Sequence, residues 1–596
     1  MDLGKEFIMN VQHYHERRDA VEAALGKRPF DLLLKNARLV DVVTGEIRNV
    51  DVGLVGSIIA SVHDCEEQFE AENIHDLKNA YLSPGLIDMH VHIESSHLLP
   101  HRYAEQVVAQ GTTTVFWDPH ELANVMGIDG VRYAVNASRN LPLRVVCQAS
   151  SSVPSTEDLE MSGAQFGGDE MHEMLSWPEI ASVAEMMDMD GILNASQRMC
   201  DILDEGLQSG KLIEGHARGL SGRQLQAYMA AGVSSDHELT SGKDMLEKLR
   251  SGLSVEMRVS HPYLIPEFVE ELNKLPHLSS QLMLCTDDVP PDQLIQDGGM
   301  IKMVRLLVAN GMKATDALRL ATLNASLRLQ RNDIGIVCAG RKADLVVFDN
   351  LEKLNPICVY SNGQKVAENG KVLFPFEASI DELPRNTMHL QQQSLADFDM
   401  HIAKVKDGKV TLRTIVGARF TSFGEKTVEV HNHIAQIPED QAMIWVRHRH
   451  GRHDKGPQMA LIEDWGVVNG AIATSYSHDS HNLVAIGGNQ VDMLTAVNCV
   501  IANGGGMALA KDGKIIAEIA LPVAGMLSVL PAAQLAQEFA HFRAKSEDVF
   551  EWKPPYRVFK AIEGTCLACN RGPHLTDLGL VDGDIKKIVD PVIDNH

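Results

Sequence analysis

Within the stretch YLSPGLIDMHVHIESS, residues 81–96, His90 and His92 stand at spacing i, i+2. On a strand both imidazoles leave by one face, so they reach a single metal ion together. Asp88 belongs to that face too, where it is placed to accept a hydrogen bond from one ring and fix its tautomer. A lone His-x-His proves little, and its weight depends on further ligands at the ends of later strands. Those ligands recur: Glu185 closes an apolar run, His216 sits in IEGHARG, His237 in VSSDHE and Asp287 in MLCTDD. Four histidines and two carboxylates are the donor set of a two-metal hydrolytic centre, in which one carboxylate bridges and one position stays open to water. Each residue has an ordinary alternative. A buried histidine can be a hydrogen-bonded core residue, Glu185 can cap a helix, and Asp287 can be the N-cap of the next turn. Six such placements at the C-terminal ends of strands are hard to produce by accident.

The elements that must carry these residues alternate between apolar strands and amphipathic helices, the pattern of βαβ units and a parallel sheet. Eight strands are expected at Leu82–His92, Thr113–Asp118, Leu143–Ala149, Ala181–Met186, Lys211–His216, Gly232–His237, Ser254–Val259 and Gln281–Thr286. Helices between them include His101–Gln110 and Gly222–Ala231. The fold class expected is α/β, a (β/α)8 TIM-like barrel over residues 81–333, with its site at the C-terminal ends of the strands. An N-terminal helical segment, 1–29, precedes it. Residues 30–80 and 334–382 read as one discontinuous small β domain, with turns at Thr44-Gly45 and Asn369-Gly370. Residues 383–596 read as a C-terminal α+β domain with turns at Asp407-Gly408 and Asp512-Gly513 and a helix around Gln534–Ala544.

Composition narrows the function classes. The 596 residues carry a net charge of −26, the wrong sign for a phosphate-binding surface, so a nucleic acid polymer is not an expected partner. Nine unpatterned cysteines fit a reducing compartment. Residues 1–28 hold Glu16, Arg17, Arg18, Asp19 and Glu22 without an apolar core, so no signal peptide is read there, and no run is apolar enough to span a membrane. A cytoplasmic protein is expected, as a homo-oligomer whose size the sequence does not give.

The segments GLIDMHVHIESS, GHARG, SSDHE and CTDD, in that order, resemble the amidohydrolase superfamily. The match narrows to the bacterial adenine deaminases through IDMHVHIESS, DPHELANV, Glu185 where many superfamily members carry a carboxylated lysine, HDSHNLVAIGGN and LPVAGMLS. It spans nearly the whole chain beyond its first two dozen residues. The resemblance implies two divalent ions, manganese or iron with zinc as the alternative. His90, His92 and Asp287 would hold the first ion, His216 and His237 the second, and Glu185 would bridge. Asp288 leaves the Asp287 assignment open by one residue; Asp287 is preferred because it directly follows Thr286.

The implied reaction replaces the exocyclic amine at C6 of adenine with oxygen, giving hypoxanthine and ammonia. Bulk water, with a pKa of about 15.7, is too weak a nucleophile unless metal lowers that to about 7. Asp287 is then the natural proton shuttle to the departing amine, and Glu121 or Glu94 supplies the proton at ring N1. His120, Ser95, His478 and His481 are the expected substrate contacts. Another cyclic amidase or aminohydrolase of the superfamily, or a non-catalytic scaffold paralogue, are the competing readings, and an intact ligand set argues against the scaffold. Elsewhere, Cys566-Leu567-Ala568-Cys569 after His92-Ile93-Glu94 only superficially matches the zinc nucleobase deaminases and reads as structural. Arg447-His448-Arg449-His450 reads as a solvated strand end. In Tyr476–His481 two imidazoles flank Asp479, and a loop there could aim them at the barrel mouth.

Overall fold

The computed structural model describes residues 14–380, 382–418, 420–552 and 558–593. Residues 1–13, part of the expected N-terminal segment, lie outside that set; the helix there is Tyr14–Ala24.

All eight expected strands form. β1 (Leu86–Val91), β2 (Thr112–Trp117), β3 (Arg144–Ala149), β4 (Ile180–Met186) and β5 (Leu212–Gly215) make one parallel sheet in the order β5-β4-β3-β2-β1. β6 (Ser235–Asp236), β7 (Ser254–Arg258) and β8 (Leu282–Cys285) make a second parallel sheet. The two sheets meet along both edges. Ser234 N donates to Ile213 O at 3.0 Å beside β5 and β6, while Asp287 N donates to His90 O at 2.9 Å beside β8 and β1. β1, β2 and β7 are buried at every position, as strands covered on both faces must be. Helices such as Pro100–Ala109, Gln197–Ser209 and Gly242–Ser251 supply the outer cover.

The stretch expected as one strand from Leu82 divides in two. Tyr81–Pro84 pairs with Phe30–Val40 and Leu345–Phe348 in a nine-stranded sheet that joins strands from 30–84 with strands from 345–372. Gly85 marks the break. A Cβ there would lie 2.2 Å from Thr113 Oγ1, so only glycine lets the chain pass from one sheet to the other. The Asn369-Gly370 turn joins Gln364–Glu368 to Lys371–Val372, both residues with positive φ.

A further nine-stranded sheet spans Gly408–Val416 to Lys514–Ala520, with the helix Gln490–Ala502 packed on it. Asp512-Gly513 is the hairpin turn between its last two strands, whereas Asp407-Gly408 leads into a strand without forming a hairpin. Beyond it come the helices Ala532–Ser546 and Phe559–Cys566 and the hairpin Pro573–Thr576 with Gly579–Asp582. Among the described residues no helix is long and apolar enough to cross a membrane.

Candidate metal centre and active site

Each of the six expected metal ligands lies on, or within two residues of, the C-terminal end of a parallel strand. His90 is in β1 and His92 just beyond it; Glu185 is in β4; His216, His237 and Asp287 follow β5, β6 and β8. All are buried. His90 Nε2 and His92 Nε2 approach to 3.0 Å. Glu185 Oε1 lies 3.7 and 3.3 Å from those two nitrogens, and Asp287 Oδ1 lies 3.9 and 3.6 Å from them. The other oxygen of Glu185 faces the opposite way: Oε2 is 2.6 Å from His216 Nδ1 and 3.3 Å from His237 Nε2. One carboxylate therefore divides between two groups of imidazoles.

These contacts fit metal ions rather than hydrogen bonds alone. Two ring nitrogens facing each other need a proton or a cation between them, and tetrahedral donors about 2.0–2.1 Å from an ion stand roughly 3.3 Å apart. Imidazole and carboxylate together suit a divalent transition ion. Burial pushes Glu185 up, but His237 and hydrogen bonds from His216 and His92 outweigh it and hold the carboxyl well below its ordinary range. Burial likewise opposes ionisation of Asp287, and the Arg258 guanidinium overcomes it. Arg258 Nη1 donates to Asp287 Oδ2 at 2.5 Å and also touches Glu238 Oε1 at 2.6 Å.

Asp287, not Asp288, faces the histidine pair. Asp288 instead accepts from Ser95 Oγ and stands 3.7 Å from Lys560 Nζ. Asp88 does not orient a ring, contrary to its expected role. The β1–β2 register shifts between Asp88 and Val91, and Asp88 accepts from Thr286 N at 2.9 Å and Thr286 Oγ1 at 2.6 Å. His92 Nδ1 is satisfied by Asp118 O at 3.0 Å.

A cavity opens over this cluster, walled by His120, Glu238, Arg258, His478, Asp479 and Lys560 among others. The C-terminal region thus supplies part of the wall: His478 and Asp479 from a loop, and Lys560 from the helix Phe559–Cys566. Of the expected substrate contacts, His120 and His478 line the cavity; Ser95 and His481 stand behind it. Ser95 Oγ is 2.9 Å from Tyr476 OH as well as bonded to Asp288, so it positions that carboxylate. Glu94 is also set back. Its oxygens accept from Trp117 Nε1 at 2.7 Å and Leu122 N at 3.2 Å, and burial pushes its pKa up to about 7. Glu121 is wholly buried, with the rings of His120, His478 and His481 around it.

The basic run is not a solvated strand end. Arg449 is fully buried and donates to His481 O at 2.6 Å, Thr387 O at 3.0 Å and Ala524 O at 3.1 Å. Together with His450 Nε2, 2.8 Å from Ser480 O, it holds the loop that carries His478. Sequence reasoning missed Glu238, although it directly follows His237. It also missed Arg258, the one cation in a buried strand (SVEMR), and it noted Asp479 between two histidines without giving it a place in the site.

Compared with known proteins, residues 81–373 match the amidohydrolase family and residues 418–587 match the adenine deaminase C-terminal domain. The chain is 63% identical over 579 residues to an adenine deaminase of Serratia proteamaculans, covering 97% of each chain. It is 60% identical to one from Klebsiella pneumoniae, covering 97% of this chain and 96% of that one. It is 48% identical to adenine deaminase 2 of Agrobacterium fabrum, again covering 97% and 96%.

Proposed function

The chain belongs to the adenine deaminase family of the amidohydrolases, and from that premise we propose that it converts adenine and water to hypoxanthine and ammonia. The observation that carries the reading is the divided carboxylate of Glu185, with His90 and His92 at one oxygen and His216 and His237 at the other. We read the two parallel sheets as one closed (β/α)8 barrel, the mixed sheet of residues 30–84 and 345–372 as a discontinuous β domain, and the remainder as a C-terminal α+β domain. The enzyme acts on a purine base in the cytoplasm, as a homo-oligomer.

His90, His92 and Asp287 would hold one divalent ion, His216 and His237 a second, with Glu185 shared; manganese or iron is the assignment, zinc the alternative. Such ions supply Lewis acidity that brings the pKa of water from about 15.7 to about 7. Arg258 fixes Asp287 through Oδ2, leaving Oδ1 toward the histidines to take a proton from the attacking water and deliver it to the departing amine. Glu238, held between Arg258 and Arg218, is ionised on the cavity wall and accepts from a purine N–H. Glu121, set back from the cavity, does not meet the base; it positions the His478 ring, whose Nδ1 lies 2.9 Å from Glu121 Oε1 and whose other edge faces the base. Burial by the loop and the helix Phe559–Cys566 excludes water from the base.

Conversion of adenine to hypoxanthine changes the ultraviolet spectrum and tests the proposal directly. Turnover of adenine, with cytosine and dihydroorotate untouched, is the expected result. Absence of turnover by fully metal-loaded protein rejects it.

A further inference from the structure

On the side of the His120 ring away from Glu185, a separate set of donors converges. His120 and Glu121 begin the helix His120–Met126, while His478 and Asp479 come from the loop of the C-terminal region. His478 Nδ1 lies 2.9 Å from Glu121 Oε1 and 3.5 Å from Asp479 Oδ1. His120 Nε2 lies 3.3 Å from Glu121 Oε1 and 3.9 Å from Asp479 Oδ1. The four side chains are 2%, 0%, 7% and 2% exposed, so they are largely withdrawn from bulk solvent. Despite the crowding, His120 Nε2, Glu121 Oε1 and Asp479 Oδ2 have no hydrogen-bond partner. Buried polar atoms left this way cost free energy unless something else occupies the point they face.

We propose that His120 Nε2, Glu121 Oε1, His478 Nδ1 and Asp479 Oδ1 hold a further divalent transition-metal ion, distinct from the pair sharing Glu185. Tetrahedral donors about 2.0–2.2 Å from an ion stand roughly 3.3–3.6 Å apart, within the spread of the four separations here. Two imidazoles and two carboxylates suit zinc, iron or manganese.

The surroundings are built to orient those donors. Asp118 Oδ2 accepts from His120 Nδ1 at 3.0 Å, backing one ligand imidazole with a carboxylate. Behind Glu121, His481 Nδ1 accepts from Ser477 N at 3.2 Å; the ring therefore carries its proton on Nε2 and donates it to Glu121 Oε2. Glu121 is left with Oε1 for the ion. His478, ligating through Nδ1, keeps Nε2 on the cavity side, 3.9 Å from Asp288 Oδ1, so its ring still meets a bound base. An ion at this point would tie the C-terminal loop to the parallel-strand region through two ligands from each. The competing arrangement is a hydrogen-bonded cluster without an ion. In it the imidazoles crowd Glu121, yet His120 Nε2 and Glu121 Oε1, 3.3 Å apart, stay without a hydrogen-bond partner.

Crystals of the full-length protein soaked in zinc chloride test this through anomalous difference maps above and below the zinc edge. A peak between His120, Glu121, His478 and Asp479 is expected in addition to those at Glu185. In solution, wild-type protein should retain about three zinc ions per chain after gel filtration, against about two for Asp479→Asn and for His478→Gln. The fold of each variant is checked by circular dichroism. No peak at that point in wild-type crystals means a hydrogen-bonded cluster only and overturns the proposal, whatever the variants do. Retention of the extra ion by both folded variants overturns it too. Glu185→Gln keeps this test apart from the binuclear assignment: the new peak should persist there while the pair is lost.

Discussion

His90, His92, Glu185, His216, His237 and Asp287 ride on the ends of parallel strands, each held by the backbone ladder beneath it. His478 and Asp479 reach the same cavity on a loop held from outside, by Arg449 on His481 O, His450 on Ser480 O, and Asn482 on Met161 O at 2.9 Å. The first set is positioned by local geometry that repeats from strand to strand. The second depends on contacts with residues from 30 to 321 positions away. Strand-borne residues should therefore fail chemically when substituted, whereas loop-borne ones should fail when their distant supports are removed.

Glu185→Gln should give the largest effect on the strand-borne side. It removes the charge shared by both imidazole groups, so metal content should fall well below two per chain. Turnover should fall at least about a thousandfold, roughly 4 kcal/mol of transition-state stabilisation. Normal rates with two tightly held ions would mean that another residue bridges. Asp287→Asn is the next largest: an amide cannot shuttle a proton, so a loss of about 10²–10⁴-fold in rate is expected. Metal content should fall less than in Glu185→Gln. Paired metal analysis and steady-state kinetics separate ligand from shuttle.

Arg449→Met carries the comparison to the loop. Arg449 touches none of the candidate ligands, but its loss leaves the carbonyls of His481, Thr387 and Ala524 without their donor. Each orphaned buried carbonyl costs about 1–3 kcal/mol. The melting temperature should fall, and turnover in the folded fraction should fall at least about tenfold, or roughly 1.4 kcal/mol. Zinc at the Glu185 pair should stay bound. Normal turnover in a destabilised variant would show that the loop does not need this support to place His478.

The same division decides what the sequence made legible. All eight strands and the placement of the six metal-capable residues followed from apolar runs and their ends, because one rule positions them all. Asp88 escaped that rule: the register shift beyond it breaks the period of two, and its carboxylate turns to Thr286. Glu94 and Glu121 looked equivalent as carboxylates near the histidines, and only the Trp117 and Leu122 contacts reveal that Glu94 is tied down. Arg449 looked solvated because charge patterning assumes that adjacent cations face water. Its acceptors lie at Thr387, His481 and Ala524, positions no local pattern connects to it.

The smallest expected effect lies at the seam between the two regions, at Glu160. Its side chain is buried, accepting from Ser155 Oγ at 2.6 Å and Thr156 N at 3.3 Å through Oε1, with Oε2 unpartnered. Burial, with Asp479 adding to it, pushes its pKa up to about 8, against about 4.3 in an unfolded chain. The folded protein thus holds a proton here that the unfolded chain has already released at neutral pH. A raised carboxyl contributes stability that is complete below the unfolded pKa and is lost as pH rises through the folded value. Between pH 5 and pH 8 the loss should approach about 1.4 kcal/mol per pH unit from this group. Glu160→Gln mimics the protonated acid and cannot ionise, so that slope should vanish. Urea unfolding of both proteins from about pH 4 to pH 8 should show near-equal stability at the acid end and a growing advantage for the variant toward pH 8. Taking the difference between the two proteins cancels every other titrating group. Turnover at neutral pH should change by less than about threefold, since Glu160 lies outside the cavity wall. Parallel stability curves would mean that Glu160 is ionised in the fold. A large loss of turnover would mean that the seam transmits to the loop carrying His478, and that the two regions are less separable than their supports imply.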